Sequence, residues 1–172
     1  MKDFLLQKIF VLLFSVLSVG NNLVPKIVPT PPSSDEYRKI TKVIDGDTIE
    51  TDRSERIRYI GINTPEIANK LKPDQCFAQA AKKKNEELVL NKTVRLEKDI
   101  SETDKYKRLL RFVYITQSDG KEISINQFLI REGYAQLMTI PPDVSKATEF
   151  KELQTQARNA QKGLWKVCKI NK

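Results

Sequence analysis

The chain has 172 residues, about the size of one domain, and 30 lysines and arginines against 22 aspartates and glutamates give it a formal net charge of +8. It has no histidine and only two cysteines, which excludes imidazole bases, imidazole ligands and four-ligand zinc fingers. A basic surface suits phosphate polymers or anionic lipid, although such a charge also serves solubility. A metal in this protein would therefore need oxygen ligands, as calcium and magnesium do.

The first 36 residues have no pattern of a folded domain. An uncharged apolar run from Ile9 to Val19 has the length of a signal-peptide core and is short for a membrane span. We therefore expect residues 1–20 to be a signal peptide and the protein to be secreted or extracytoplasmic. The alternative is an uncleaved membrane anchor through residues 9–19. Residues 21–36 hold four prolines and two serines without apolar periodicity, which predicts a linker.

Five short segments rich in β-branched residues are bounded by turn residues, which predicts five strands. They are Tyr37 to Ile44, Thr48 to Asp52, Arg56 to Ile62, Thr93 to Lys98 and Leu109 to Thr116. Apolar residues at helical spacing predict three helices: Cys76 to Leu90, a helix from a Ser124 cap to a stop at Gly133, and about Ser145 to Gln161. We therefore predict one α+β domain over residues 37–170, a five-stranded OB-type Greek-key β-barrel with three α-helices.

Two polar motifs interrupt these segments. The first, "VIDGDTIE" from Val43 to Glu50, places two aspartates around a glycine. It is either a plain Asp-Gly turn or a turn that directs one carboxylate at a metal ion. The second, "DKYKR" from Asp104 to Arg108, is either a solvated charged loop or a basic site before the last predicted strand.

Arg58 lies inside the third predicted strand. Because side chains alternate along a strand, Arg58 should face the same side as Ile60 and Ile62, opposite to Ile57 and Tyr59. An arginine that faces inward with isoleucines needs an anionic partner. Taken alone, the residue fits better as a charged edge residue on the solvated side of a sheet.

Five motifs resemble the staphylococcal-nuclease-like, or thermonuclease, family over about Thr41 to Trp165. They are "VIDGDTI", "RIRYIGINTPE", "DKYKR", "INQFLIREGYA" and a terminal pattern formed by Ala157, Ala160 and Gly163 to Trp165. Each motif alone is weak evidence of the family, but five motifs in the family's order are not explained by coincidence. The resemblance implies a calcium-dependent phosphodiesterase that cuts DNA and RNA, and we expect it to act as a monomer.

The resemblance implies three calcium ligands: the carboxylate of Asp47, the amide of Asn63 and the backbone carbonyl of Thr64. An aspartate is usual in the family where this chain has Asn63, so one charge is missing beside the cation. If Asn63 contacts the metal, we expect weaker calcium binding than in relatives. The alternative is that Asn63 only stabilises the turn before Thr64-Pro65.

The resemblance also implies the residues that act on the substrate. Arg58 and Arg108 would hold the scissile phosphate and stabilise its five-coordinate transition state. Glu66 would activate or position the attacking water. Lys105 and Tyr106 would bind the substrate. A planar guanidinium suits the arginine role because it donates two hydrogen bonds to two phosphate oxygens and keeps its proton.

Two further departures from the family lie near these residues. Lys107 and Leu109 stand where glycines usually flank the arginine, so the loop that carries Arg108 should be stiffer. Thr139 and Pro141 stand where the family type member has two tyrosines that touch nucleotide, so the nucleotide contacts there must differ.

Two other functions fit parts of the sequence. Degenerate domains of the family keep the barrel and bind nucleic acid without cutting it, but Arg58, Glu66 and Arg108 are all retained here. A surface-anchored structural protein would account for the apolar N-terminus and the basic charge, and it leaves an inward-facing arginine unexplained.

The two cysteines lie at the ends of the predicted helical part. Cys76 begins the first predicted helix and Cys168 follows the last one. In an exported chain, two cysteines without metal-site spacing predict one disulfide. Two free thiols in a reducing compartment are the alternative.

Overall fold

The computed structural model describes residues 36–68 and 70–169. These residues form, in chain order, β1 (Glu36–Val43), β2 (Thr48–Thr51), β3 (Arg56–Tyr59), β4 (Ile62–Asn63), α1 (Ala78–Val89), β5 (Thr93–Glu97), β6 (Leu109–Thr116), β7 (Glu122–Ser124), α2 (Ile125–Arg131), β8 (Gln136–Leu137), α3 (Ala147–Asn159) and α4 (Leu164–Val167). The predicted signal peptide or anchor lies outside the described residues, as does the predicted linker except for Glu36, which begins β1. No helix in the described part of the chain is long and apolar enough to span a bilayer.

Five strands close into a barrel. The main sheet has the order β3-β2-β1-β5-β6-β7, and an additional pairing of β3 with β6 joins the ends of its first five strands. That closing pair is parallel, whereas the other pairs of this sheet are antiparallel. The five barrel strands and the helices confirm the predicted OB-type barrel.

The core lies inside this barrel and under the helices that cover it. Along β3, Ile57 and Tyr59 are buried, and Arg58 between them is only half-buried, as alternation requires. Leu129 of α2 and Phe150 of α3 are also fully buried in the same core cluster. Burying each large apolar side chain stabilises the fold by about 1.5–3 kcal/mol.

The predicted third strand was too long. β3 ends at Tyr59 because Gly61 turns the chain at a φ of +77°. A side chain at Gly61 would also meet the Phe150 ring at 2.7 Å. Ile62 begins the separate strand β4, which pairs with β8. The alternation argument that placed Ile60 and Ile62 on the face of Arg58 therefore does not apply beyond Tyr59.

The predicted helices differ from the observed ones mainly at their ends. The Ser124 cap is confirmed, since its hydroxyl oxygen accepts a hydrogen bond from the Gln127 backbone N–H at 3.3 Å. α1 begins at Ala78 rather than Cys76, because Phe77 has a left-handed φ of 73°. The sequence did not predict β4, β7, β8 or α4, which are too short to show a period.

A buried polar network ties α1 to the turn between β1 and β2. Asn85 of α1 is fully buried, and its Oδ1 accepts a hydrogen bond from the Tyr59 hydroxyl at 2.9 Å. Its Nδ2 donates to the backbone carbonyl of Asp45 at 3.2 Å. The Tyr59 backbone N–H donates to the carbonyl of Asp47 at 3.0 Å. Strand β3 and helix α1 thus hold both ends of the Asp45 to Asp47 turn.

A disulfide joins the residue two before α1 to the residue after α4. Cys76 and Cys168 are bonded, with their Cα atoms 5.8 Å apart. This is the pairing expected from the sequence. The bond fixes the C-terminal segment to the start of α1, the helix that holds the β1–β2 turn.

Removing the disulfide should destabilise the fold. Cys76→Ser should lower the free energy of unfolding by about 4 kcal/mol, because the bond closes a loop between residues 92 apart in sequence. Denaturant unfolding measures this loss, and the reduced wild type should lose a similar amount. Mass spectrometry that finds two free thiols in the non-reduced protein would contradict the bond.

The Tyr59 hydroxyl should stabilise the fold through Asn85. Tyr59→Phe leaves the buried Asn85 Oδ1 without its donor, so the free energy of unfolding should fall by about 1–3 kcal/mol. Tyr134→Phe is the matched control, because the Tyr134 hydroxyl has no hydrogen bond among the described residues. Equal losses in both variants, measured by denaturant unfolding, would argue against the network.

Candidate active site

A cleft of about 620 Å³ opens beside the β1–β2 turn. Its walls come from that turn, from β3 and the chain after it, from the loop before β6, and from the segment after β8. Seven of the eight residues predicted to act on metal or substrate line it: Asp47, Arg58, Asn63, Glu66, Lys105, Tyr106 and Arg108. The eighth, Thr64, is buried beside Asp47. Neither residue of the disulfide lines the cleft.

Asp47 is the most buried carboxylate of the cleft. The residue is 4% exposed. Its Oδ2 accepts a hydrogen bond from the Thr64 backbone N–H at 2.7 Å and lies 3.1 Å from Arg58 Nη1. Burial raises the pKa of Asp47 to about 7, the Arg58 guanidinium opposes this rise, and the charge of Asp45 adds to it. A carboxylate with this much burial and one cationic partner is a suitable ligand for a further cation.

Gly46 allows this arrangement. A Cβ at position 46 would lie 2.7 Å from Thr64 Cγ2 and Oγ1, closer than non-bonded atoms approach. The turn can therefore contact Thr64 only if its middle residue is glycine. The Asp-Gly-Asp turn is thus both a strand connection and the segment from which Asp45 and Asp47 line the cleft.

Arg58 is held by several acceptors. Its Nη1 donates to the backbone carbonyls of Tyr59 and Ile62, each at 2.9 Å, and contacts Asp47. Its Nη2 donates to Oδ1 of Asn63 at 3.0 Å. The predicted anionic partner is therefore Asp47. The guanidinium lies at the cleft wall with its orientation fixed before any substrate arrives.

Arg108 approaches the cleft from the loop before β6. Its Nε donates to Oδ2 of Asp104 at 2.7 Å, and its Nη1 donates to the Thr48 hydroxyl at 3.4 Å. Burial opposes ionisation of Asp104, but hydrogen bonds from the Arg108 backbone and guanidinium lower the pKa of Asp104 below its ordinary value. Asp104 therefore remains ionised and fixes the arginine.

In the same loop, Lys107 has a backbone conformation that glycine adopts more easily. Lys107 has a φ of +62°, in the region that residues with a Cβ adopt at a cost. Its backbone N–H still closes a turn onto the Asp104 carbonyl at 3.0 Å. Tyr106 is 69% exposed, and its ring centroid lies 5.5 Å from Cζ of Arg108 and 5.0 Å from Nζ of Lys105. The Tyr106 ring and the cationic groups of Lys105 and Arg108 therefore lie side by side at the cleft.

Glu66 is exposed and lines the cleft. Its backbone is fixed, because its N–H donates to Oε1 of Gln75 at 2.9 Å and its carbonyl accepts from the Gln75 N–H at 2.9 Å. Its carboxylate has no hydrogen bond or ion pair with any other described residue. The carboxylate is therefore free to contact water or substrate.

The wall formed after β8 is largely apolar. Met138 and Ile140 are 42% and 57% exposed, and both line the cleft with Pro141. Asp143 fixes this segment, since its Oδ1 accepts hydrogen bonds from the backbone N–H groups of Ile100 and Ser101 at 3.0 and 2.8 Å. Pro141, one of the two residues that stand where the family type member has tyrosines, therefore lies on a wall of aliphatic groups.

The oxygen atoms of the cleft fit a hard cation. Carboxylates of Asp45, Asp47 and Glu66 and the amide of Asn63 line it, and the Thr64 carbonyl accepts a hydrogen bond from Asn63 Nδ2 at 3.3 Å. Calcium takes carboxylate, amide and carbonyl oxygens of this kind. In the described part of the chain no three His, Cys, Asp or Glu side chains form a metal-binding group. Amide and backbone oxygens would have to complete a calcium site.

Sequence reasoning assigned no role to the residues that hold the site residues in place. Asn85, Asp104 and Gln75 each bind a backbone or side chain of a cleft residue. Of the three, only Asp104 has a recognisable sequence pattern. It lies four residues before Arg108, and side chains of opposite charge at this spacing can form an ion pair when the loop is tight. Nothing in the local sequence distinguishes Asn85 or Gln75 from surface polar residues.

Comparison with known proteins identifies the family. Residues 56–167 match the family described as staphylococcal nuclease homologue. The chain is 32% identical over 136 residues to a thermonuclease from Staphylococcus hyicus, covering 77% of this chain and 78% of that protein. It is 35% identical over 129 residues to a thermonuclease from Staphylococcus intermedius, covering 73% and 74%. It is also 32% identical over 147 residues to endonuclease YncB from Bacillus subtilis, covering 78% and 66%. The chain therefore belongs to the staphylococcal nuclease homologue family and is a nuclease.

Proposed function

We propose that this nuclease hydrolyses phosphodiester bonds of DNA and RNA in a calcium-dependent reaction in the cleft. The observation that supports it most is that two guanidinium groups and an unpaired carboxylate, those of Arg58, Arg108 and Glu66, line the same 620 Å³ cleft. A phosphodiester is anionic, so hydrolysis requires its charge to be met and a water to be directed at phosphorus.

Arg58 and Arg108 bind the scissile phosphate. Each guanidinium retains donors beyond those it uses within the protein: Arg58 has no internal acceptor for Nε, and Arg108 has none for Nη2, among the described residues. These donors can bond phosphate oxygens, and their bonds strengthen as charge accumulates in the five-coordinate transition state.

Glu66 positions or deprotonates the attacking water. Its backbone is fixed by Gln75 while its carboxylate has no partner in the described residues. A carboxylate that accepts a proton must be within hydrogen-bond reach of the water and free of stronger partners, and Glu66 meets the second condition.

Asp47, Asn63 and the Thr64 carbonyl would hold the calcium ion. When bound there, calcium supplies further positive charge next to the phosphate and can orient water. Asp47 supplies the only carboxylate of this proposed ligand set.

Lys105 and Tyr106 contact the nucleotide beside the cleavage site. The exposed tyrosine ring offers a surface on which a base or sugar can lie, and the lysine adds positive charge next to the polyanion. These contacts carry no base-specific pattern, which suits a nuclease that acts on both DNA and RNA.

We propose that the protein acts outside the cytoplasm, as a monomer, either secreted or retained by a membrane anchor through residues 9–19. The Cys76–Cys168 disulfide supports this location, since structural disulfides persist in oxidising compartments and are rare where thiols are kept reduced.

Cleavage should depend on calcium. The purified protein is incubated with supercoiled plasmid, single-stranded DNA and RNA, in calcium and in excess chelator. We expect cleavage of all three in calcium, loss of cleavage in chelator and recovery when calcium is restored. Cleavage that persists in chelator would contradict the calcium proposal. Binding without cleavage in calcium would indicate a nucleic-acid-binding module instead.

Each of the two arginines should be required for cleavage. Arg58→Ala and Arg108→Ala should each lower kcat by about 10²-fold or more, because each removes a preorganised donor to the transition state. Arg56→Ala is the matched control on the same strand, since the Arg56 side chain is 63% exposed and its one ion pair among the described residues is with Glu50, at 3.6 Å. Near-full activity in either site variant, with an unchanged circular dichroism spectrum, would show that the arginine does not have its proposed role in cleavage.

A further inference from the structure

Asn63 lies between the two parts of the proposed site. Its Oδ1 accepts a hydrogen bond from Arg58 Nη2 at 3.0 Å, on the phosphate-binding side. Its Nδ2 donates to the Thr64 backbone carbonyl at 3.3 Å, on the metal-binding side. Its backbone is fixed by pairing with Gln136 of β8. The amide therefore bridges two functional groups from a rigid position.

The contact with Arg58 controls the orientation of the guanidinium. Nη1 has three acceptors, which are the Tyr59 and Ile62 carbonyls and Asp47. Nη2 has one acceptor among the described residues, Asn63. Contacts at Nη1 hold one corner of the planar group, and the contact at Nη2 holds a second corner. Without Asn63, Nη2 loses its acceptor, and the guanidinium is held less firmly in the orientation that its other bonds define.

We infer that Asn63 is a positioning residue for Arg58, which holds the guanidinium in the orientation that binds the phosphate. The inference rests on the proposed role of Arg58. It assigns Asn63 a task that does not require contact with calcium. Misplacing a catalytic donor by about 1 Å can cost 10²-fold in rate, so a residue that fixes its orientation has a measurable effect.

The chemistry of an amide suits this position. A neutral carbonyl oxygen accepts the guanidinium hydrogen bond without cancelling the positive charge that the phosphate must meet. The amide nitrogen donates to the Thr64 carbonyl at the same time. A carboxylate of the same size accepts from Arg58 but cannot donate to Thr64, and an aliphatic side chain does neither.

A double-mutant cycle tests the inference. Asn63→Ala, Arg58→Ala and the double variant are compared with wild type for kcat, at calcium concentrations that saturate each protein, and for calcium affinity by calorimetric titration with calcium chloride alone. We expect Asn63→Ala to lower kcat by about 10-fold in the wild-type background, on the order of a partial misplacement of the donor. In the Arg58→Ala background it should change kcat by about twofold or less.

Asn63→Asp is the conservative variant. It keeps the acceptor for Arg58 Nη2, so its kcat at saturating calcium should lie closer to wild type than that of Asn63→Ala. Its added charge should also lower the calcium dissociation constant, because calcium affinity rises with the number of charged ligands. Circular dichroism of every variant establishes that the barrel is folded.

Two results would overturn the positioning role. In the first, Asn63→Ala costs the same fold-change in kcat in both backgrounds. In the second, saturating calcium restores the kcat of Asn63→Ala to the wild-type value, which would make Asn63 a metal ligand only. A different result, an Arg58→Ala variant as active as wild type, would overturn the proposed role of the arginine itself, and the positioning role with it.

Discussion

The buried carboxylate of Asp47 is the group on which the rest of the site depends. It accepts the Thr64 N–H at 2.7 Å and contacts Arg58 at 3.1 Å, while it is 4% exposed. An uncompensated buried charge costs several kcal/mol, so the segments that supply its partners must stay together. The β1–β2 turn, strand β3 and the chain after β4 are therefore joined at one point. The absence of a side chain at Gly46 allows this close approach.

The closing strand pair explains why two arginines distant in sequence line one cleft. β3 and β6 run parallel, and Arg58 is in register with Leu110, two residues after Arg108. A parallel pair needs a long crossover connection, and here that connection contains α1 and β5. The same crossover helix carries Asn85, which binds the Asp45 carbonyl. The strand pair that closes the barrel and its connection thus also bring the parts of the site together.

Sequence reasoning predicted the features that local pattern encodes. The five barrel strands, the three longer helices and the Ser124 cap follow from periodicity and turn chemistry, which act over a few residues. The two-residue strands β4 and β8 are too short for a period and form because the chain turns at Gly61 and meets another segment. The partners of buried polar groups, such as Asn85 with Tyr59, are tertiary contacts that no local pattern reveals. The inward direction of Arg58 was inferred from an alternation that ends at Tyr59, although its need for an anionic partner was correct.

The two arginines are held by different kinds of partner, so their charges should be available to a ligand to different extents. The Arg58 side chain is 11% exposed and is bound mostly by neutral carbonyl and amide oxygens, and Asp47 is its one ion-pair partner among residues 36–68 and 70–169. The Arg108 side chain is 26% exposed and forms a hydrogen-bonded ion pair with Asp104 at 2.7 Å. Neutral acceptors leave more of a guanidinium's charge available to a ligand than a dedicated carboxylate does, and burial strengthens the field of that charge. If a cation also binds Asp47, the carboxylate neutralises Arg58 less, and the phosphate meets a larger share of its charge. In the proposed site, Arg58 is therefore the arginine whose interaction with the phosphate depends more on whether a cation binds Asp47, whereas Asp104 keeps Arg108 fixed in either case.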